Sequence, residues 1–186
     1  MLKMSWSDEA ASNALSWAQT CSGMHSESQQ RTINGMRCGE NLFMASDLSA
    51  WEKGIQDWYN EVQNLTYNVG RAGVVGHYTQ VVWYRSNLVG CAIAHCPDEE
   101  LFHYFYVCHY CPPGNYADSL YTPYKAGPPC GDCPNSCEDK LCNNPCELFD
   151  KSSSCKQMLT KYKNGCQYEP IQSMCAASCG CGDKIY

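Results

Sequence analysis

Sixteen cysteines among 186 residues limit the fold of this chain more than any other feature of its sequence. An even cysteine count at this density is typical of proteins that fold in an oxidising compartment, where the thiols pair as disulfides. The alternative interpretation is metal binding or redox chemistry in the cytosol. The cysteine count therefore predicts a secreted, disulfide-stabilised protein.

The cysteines are unevenly distributed along the chain. Residues 1–111 contain six, whereas residues 130–181 contain ten. The first density leaves room for a hydrophobic core stapled by disulfides, and the second is too high for such a core to dominate. A Pro/Gly-rich stretch from Pro112 to Pro129 separates the two regions. We therefore predict a domain at 1–115, a linker and cysteine-rich hinge at 116–145, and a small cysteine-rich domain at 146–186.

Composition excludes several classes of partner and location. With 13 Lys and Arg against 19 Asp and Glu, the net charge is −6, which argues against nucleic-acid binding. The longest apolar runs, such as Leu88–Ala94, are too short to span a bilayer, so no membrane insertion is expected. No signal peptide precedes the polar stretch after Met4. We therefore expect a mature or N-terminally incomplete chain in which Met1 is an internal residue.

Local patterns predict an α+β fold for the first region. Ser7 is the predicted N-cap of a first helix, and Ser49 with Glu52 forms a predicted capping box for a second. Alternation with a period of two then predicts strands, the last two joined as a hairpin at Pro97-Asp98. These strands are 77–84, 88–94 and 102–108. In the tail, short helices are predicted at 156–163 and 170–177.

Four polar residues form the candidate chemical site: His25, Glu40, Glu61 and His77. Two imidazoles and two carboxylates are suited to holding zinc or to acid–base chemistry. No two of them are spaced at i, i+3 or i, i+4, so the spacing gives little support to a zinc site or an acid–base site. The alternative is that the four polar groups satisfy one another at the edge of the sheet.

Two further features of the sequence suggest surface roles. Asn64-Leu65-Thr66 is an N-glycosylation sequon, which predicts a sugar on Asn64 after the second helix. Lys161-Tyr162-Lys163 places cations beside an aromatic ring in the cysteine-rich tail, a combination that can occlude a cation pore. The alternative for these lysines is a solvated helix face. No Gly-x-Ser-x-Gly elbow is present, so nucleophilic catalysis has little support.

Two strings resemble the signatures of a known superfamily. Gly76-His77-Tyr78-Thr79-Gln80-Val81-Val82-Trp83-Tyr84 and Tyr106-Val107-Cys108-His109-Tyr110-Cys111-Pro112-Pro113-Gly114-Asn115 are similar to the two signatures of the CAP superfamily. The cysteine-rich tail narrows the resemblance to the cysteine-rich secretory proteins, over essentially the whole chain. The run from Gly127 to Pro134 resembles reptile venom members more than members from the mammalian reproductive tract.

The resemblance implies a fold and a disulfide pairing that the spacing does not supply. The fold would be an α-β-α sandwich, a disulfide-rich hinge and a small helical, ShK-like cysteine-rich domain. Relatives carry a further N-terminal helix that this chain lacks. The implied pairs are Cys21–Cys96, Cys38–Cys111, Cys91–Cys108, Cys130–Cys137, Cys133–Cys142, Cys146–Cys181, Cys155–Cys175 and Cys166–Cys179.

The resemblance also implies functions. The cavity tetrad of the family falls on His25, Glu40, Glu61 and His77, where the two histidines can hold a divalent metal such as Zn2+. Family members act on ryanodine receptors, voltage-gated potassium channels, calcium channels and cyclic-nucleotide-gated channels. We therefore expect a monomeric, non-enzymatic venom toxin that modulates ion channels. The alternatives are a cell-surface binding protein of reproductive or immune secretions, a metal-dependent hydrolase, and a sterol- or lipid-binding protein.

Overall fold

The computed structural model describes residues 1–152 and 154–185, which form six α-helices and ten strands within those bounds. In chain order they are β1 (Ser5–Trp6), α1 (Asp8–Ala18), β2 (Thr32–Ile33), β3 (Met36–Arg37), β4 (Gly39–Ala45), α2 (Trp51–Asn60), β5 (Leu65–Thr66), β6 (Gly70–Arg71), α3 (Gly76–Val81), β7 (Leu88–His95), β8 (Tyr104–Cys111), β9 (Cys137–Glu138), β10 (Leu141–Cys142), α4 (Cys155–Lys161), α5 (Glu169–Met174) and α6 (Ala176–Gly180). Short 3-10 turns cover Glu61–Asn64 and Gly165–Gln167. No helix in this part of the chain has the length and apolar character needed to cross a bilayer.

One four-stranded sheet organises the first region, in the order β1-β7-β8-β4. The short β1 pairs in parallel with β7, whereas β7–β8 and β8–β4 are antiparallel. The predicted hairpin of β7 and β8 is therefore confirmed. The long strand β4 was not predicted, and its register places Glu40 directly opposite His109 of β8.

Helices cover both faces of this sheet, which confirms the predicted α-β-α layering. Because side chains alternate along a strand, Leu42, Phe105 and Val107 share one face and pack with alanines of α1. On the opposite face, Cys108 and Tyr110 pack with Trp58 of α2. A Cβ at Gly90 would lie 2.2 Å from the backbone nitrogen of Ala11, so glycine allows α1 to lie directly on β7.

The predicted strand at 77–84 is wrong, because this segment begins with the helix α3 and contains no strand. The reason is a distant capping group. The carboxylate of Glu61 accepts hydrogen bonds from the backbone N–H groups of His77 (2.9 Å) and Tyr78 (3.1 Å), two donors that a first helical turn leaves unpaired. Sixteen residues separate Glu61 from His77, so no local pattern shows this cap.

The second helix forms as predicted, but its predicted capping box is wrong. The N-cap residue of α2 is Ala50, and no side chain caps it. Ser49 is instead fixed through its backbone, because the Tyr106 hydroxyl accepts from the Ser49 N–H and donates to the Ser49 carbonyl, each at 2.7 Å. The first helix agrees with the prediction, since the Ser7 hydroxyl accepts from the N–H of Ala10.

The chain divides into two compact units. The first comprises Met1 and Lys3–Ala126, and the second comprises Leu2 and the residues from Gly127 onward. The three-part division with a separate hinge at 116–145 stays a prediction. The tail helices α4, α5 and α6 lie where short helices were predicted, although two helices occupy the second predicted range.

All sixteen cysteines form disulfides, and the eight bonds join the same pairs that the resemblance implied. Three lie in the first unit, Cys21–Cys96, Cys38–Cys111 and Cys91–Cys108. Two lie in the hinge, Cys130–Cys137 and Cys133–Cys142. The last three cross-link the tail region that contains α4, α5 and α6, and they are Cys146–Cys181, Cys155–Cys175 and Cys166–Cys179.

Candidate functional site

Glu40 of β4 lies at the centre of a buried polar network. Its side chain is 1% exposed and accepts four hydrogen bonds, two on each oxygen. Oε1 accepts from His25 Nδ1 at 2.7 Å and from the backbone N–H of Ser26 at 2.9 Å. Oε2 accepts from the Ser26 hydroxyl at 2.7 Å and from His109 Nε2 at 2.9 Å. Arg31 adds a positive charge 3.8 Å from Oε1.

These donors keep Glu40 ionised. Burial by itself raises the pKa of Glu40, but hydrogen bonds from His109, His25 and Ser26 outweigh it and hold the pKa well below its usual range. A carboxylate with four donors around it has no lone pair directed at solvent. Glu40 therefore orients its neighbours and is a poor candidate for a direct metal ligand.

A second histidine–glutamate pair forms at the start of α3. Glu61 Oε1 accepts from His77 Nδ1 at 2.7 Å, while Oε2 accepts from the backbone N–H groups of His77 and Tyr78. Trp58 stacks on the His77 ring, with ring centroids 6.3 Å apart and planes 13° apart. The His77 ring is thus held by a hydrogen bond at one edge and by an aromatic face.

The structure brings the four predicted residues together as two pairs, His25 with Glu40 and His77 with Glu61. Strand β4 connects the pairs, because Asn41, next to Glu40, donates from Nδ2 to the His77 carbonyl at 3.1 Å. Within residues 1–152 and 154–185, no group of three or more His, Cys, Asp or Glu side chains is placed to hold a metal ion. Hydrogen bonds therefore join the four residues in two pairs.

The pairs nevertheless have the chemistry of imidazole ligands. Each carboxylate accepts from Nδ1, so in the neutral form of either ring Nδ1 carries the proton and Nε2 carries the lone pair. Histidines that bind metals usually donate their other ring N–H to a carboxylate or carbonyl in this way. The His25 side chain is 61% exposed and that of His77 is 31% exposed, so both rings reach solvent.

Sequence reasoning missed His109. This residue lies in the middle of a strand of aromatic and cysteine residues, and its side chain is 1% exposed. Its position opposite Glu40 depends on the pairing of β4 with β8. The sequence gives no signal for that register, although a histidine in a buried strand was itself a reason to look for a partner.

The other candidate residues lie on the surface. Asn64 ends the 3-10 turn after α2, and its Nδ2 donates to the Val74 carbonyl at 2.8 Å. Lys161 ends α4, with its Nζ 5.6 Å from the centroid of the Tyr162 ring. Tyr162 is 49% exposed and Lys163 is exposed. Glycosylation of Asn64 and channel contact by these tail residues stay predictions.

Family models match both units of this chain. The model of the cysteine-rich secretory protein family matches residues 1–110, and the model described as Crisp matches residues 130–186. The human protein named cysteine-rich secretory protein 3 is 47% identical over 189 residues, a match that covers 100% of this chain and 76% of the human protein.

Solved structures show the same fold. The crystal structure of Na-ASP-1 matches with a TM-score of 0.62 and 30% identity, covering 77% of this chain and 38% of that one. The crystal structure of NaASP2 with Zn2+ matches with a TM-score of 0.61 and 32% identity, covering 76% of this chain and 77% of that one. The sheet, the signatures and the paired cysteines thus have a common explanation: the chain belongs to the cysteine-rich secretory protein family.

Proposed function

We propose that this secretory-family protein acts without catalysis, as a monomer whose tail docks on the outer mouth of an ion channel and reduces its current. The observation that carries the proposal is a cationic segment of the tail. Residues 151–168 contain four lysines and neither Asp nor Glu, although the whole chain has a net charge of −6. Lys156 and Lys161 line one shallow surface of α4 with Gln157 and Thr160. A vestibule lined with carboxylates would be the complementary partner.

Disulfides hold this segment in place before binding. Cys155 begins α4 and is bonded to Cys175, while Cys166 follows the Lys161-Tyr162-Lys163 run and is bonded to Cys179. Lys156, Lys161, Tyr162 and Lys163 therefore lie between two disulfide-bonded positions. A preorganised surface loses less conformational entropy on binding, which favours affinity. We infer that the larger unit broadens the contact.

Charge reversal in the tail tests the proposal. We expect Lys161→Glu with Lys163→Glu to weaken channel block by roughly tenfold or more, because both changes place like charges opposite an acidic mouth. Patch-clamp recording would use potassium, calcium and cyclic-nucleotide-gated channels, with ryanodine receptors recorded in bilayers.

Lys184→Glu is the matched control, since Lys184 is exposed in the same unit but lies outside residues 151–168. It should keep at least half of the potency of the original chain. No effect of the unmodified protein at micromolar concentration on any of these channels would contradict the proposal.

A cell-surface binding protein of reproductive or immune secretions is a second candidate function. The 47% identity to a human protein favours it, because that relative comes from a species without venom. Transcript abundance separates the two candidates. Enrichment in a venom gland supports the toxin, including its reptile venom origin, whereas enrichment in epididymis or immune secretions supports the alternative.

We also propose that the first unit binds a divalent cation such as Zn2+ through Nε2 of His25 and of His77. Both imidazoles are suited to ligating a metal, because a carboxylate accepts from Nδ1 of each ring and leaves Nε2 available. A crystal structure of the related protein NaASP2 with Zn2+ also supports the proposal. Two imidazoles are fewer than the four ligands of a structural zinc site, so water would complete the shell. A bound zinc ion would polarise a ligated water, but we expect no turnover of a substrate.

Calorimetric titration with ZnCl2 checks this proposal. We expect His25→Ala and His77→Ala each to weaken zinc binding by about tenfold or more, because each removes one of two imidazole ligands. His95→Ala is the matched control, since His95 is exposed and its ring packs on Tyr104, away from both pairs. Equal affinity in all three variants would show that zinc binds elsewhere.

A further inference from the structure

His109 is a third imidazole attached to the candidate metal site, and it is wholly enclosed by protein. Its position directly opposite Glu40 in the pairing of β4 with β8 directs both side chains to the same face of the sheet. The Nε2–Oε2 distance is 2.9 Å, and each of the two side chains is 1% exposed. No other hydrogen bond to the His109 ring is present among the described residues, because Nδ1 is buried without a partner.

This arrangement fixes the tautomer of His109. An ionised carboxylate accepts only, so the proton of a neutral His109 ring is on Nε2 and the lone pair is on Nδ1. A buried polar group without a partner is rare and carries a cost in stability. Within residues 1–152 and 154–185, Glu40 is therefore the one hydrogen-bond partner of the His109 ring.

Glu40 in turn determines the orientation of His25. The His25 side chain is 61% exposed, and its Nδ1 donates to Glu40. The Glu40 side chain has three rotatable bonds, so its orientation depends on its hydrogen-bond donors. His109 donates from β8, whereas His25 and Ser26 donate from the loop between α1 and β2. The other pair is built differently, since Glu61 is held by backbone N–H groups of the helix that carries His77.

We propose that His109 is a positioning residue: it holds the Glu40 carboxylate so that His25 keeps its proton on Nδ1 and presents Nε2 to a divalent cation. The inference rests on the proposed metal binding, but its first step, the tautomer of His25, does not require a metal. Removing His109 leaves the rotatable Ser26 hydroxyl as the donor to Oε2. This should let the carboxylate turn, after which the exposed His25 ring samples both tautomers.

The test compares His109→Gln with His109→Leu in the full chain. The glutamine amide can still donate to Glu40, whereas leucine cannot. Side-chain 15N NMR of His25 without metal reports which ring nitrogen is protonated, and calorimetry with ZnCl2 reports affinity. We expect H109Q to keep the Nδ1–H tautomer and zinc affinity within about twofold, and H109L to lose the tautomer preference and about tenfold in affinity, a typical effect of removing a partner behind a metal ligand.

The two readouts separate this inference from the metal proposal. If the unmodified chain does not bind zinc, the metal proposal fails, while the His25 tautomer in H109L still decides the role of His109. A folded H109L variant with the His25 spectrum of the unmodified chain overturns the inference. If H109L does not fold, His109→Asn takes its place. The asparagine amide stays polar but is too short to reach Glu40. An unchanged His25 spectrum in H109N likewise overturns the inference.

Discussion

Glu40→Gln is expected to lower the unfolding free energy of the first unit by about 3–5 kcal/mol, because it breaks a buried charged network. The Glu40 carboxylate accepts four hydrogen bonds, and the amide would turn an NH2 group toward two of those donors. All five tryptophans lie between Trp6 and Trp83, so tryptophan fluorescence during urea denaturation reports on the first unit alone.

The control is Glu27→Gln in the same loop, where the side chain is exposed and the expected change is within about 0.5 kcal/mol. A loss below about 1 kcal/mol for Glu40→Gln would mean that the four donors find other partners, and it would remove the basis for treating Glu40 as the centre of the site.

The same network gives this loss a pH dependence. Burial raises the pKa of Glu40, but hydrogen bonds from His109, His25 and Ser26 hold it well below the value of about 4.3 for an unfolded chain. A lowered pKa in the folded state contributes stability that is fully present above the unfolded pKa and is lost as the pH falls toward the folded value. The difference in stability between the original chain and Glu40→Gln should therefore be constant near pH 7 and shrink below about pH 4.

Sequence patterns correctly predicted the helices and strands that are determined by residues close together in the chain. Ser7 with the acidic first turn predicted α1, and alternation predicted β7 and β8. The prediction of a strand at 77–84 was wrong because Glu61 stabilises the helical turn from a distant position. Strand β4 was missed for a similar reason, since its pairing with β8 joins residues that are between 59 (Ala45 and Tyr104) and 71 (Gly39 and Tyr110) positions apart.

The candidate site shows the same division between local and distant causes. The resemblance supplied His25, Glu40, Glu61 and His77, but only the fold shows that they associate as two pairs rather than one cluster. His109 was missed because its role depends on strand register, which is set by packing across the whole sheet. The disulfide pairs likewise came from the resemblance, because six cysteines in the tail allow 15 pairings.

Loss of the Cys155–Cys175 bond is expected to unfold the second unit while the first stays folded. Apart from Leu2 and Ala177, the buried apolar side chains described in this unit are all cysteines, namely Cys133, Cys142, Cys155, Cys175 and Cys181. The disulfides therefore also form most of its core. Cys155→Ala with Cys175→Ala opens a loop of 20 residues and should cost about 3 kcal/mol, enough to unfold a small domain of this kind.

Cys91→Ala with Cys108→Ala is the matched control, because that bond closes a loop of 17 residues in the first unit. There the strands β7 and β8 remain paired from Leu88–Cys111 to His95–Tyr104, and an independent apolar core surrounds them. Amide hydrogen exchange should show α4, α5 and α6 exchanging like an unfolded chain in the tail variant, with tryptophan fluorescence unchanged. In the control, β7 and β8 should stay protected. Protected tail helices without Cys155–Cys175 would show that apolar packing, rather than the disulfide, holds this unit together, and channel block should then survive the change as well.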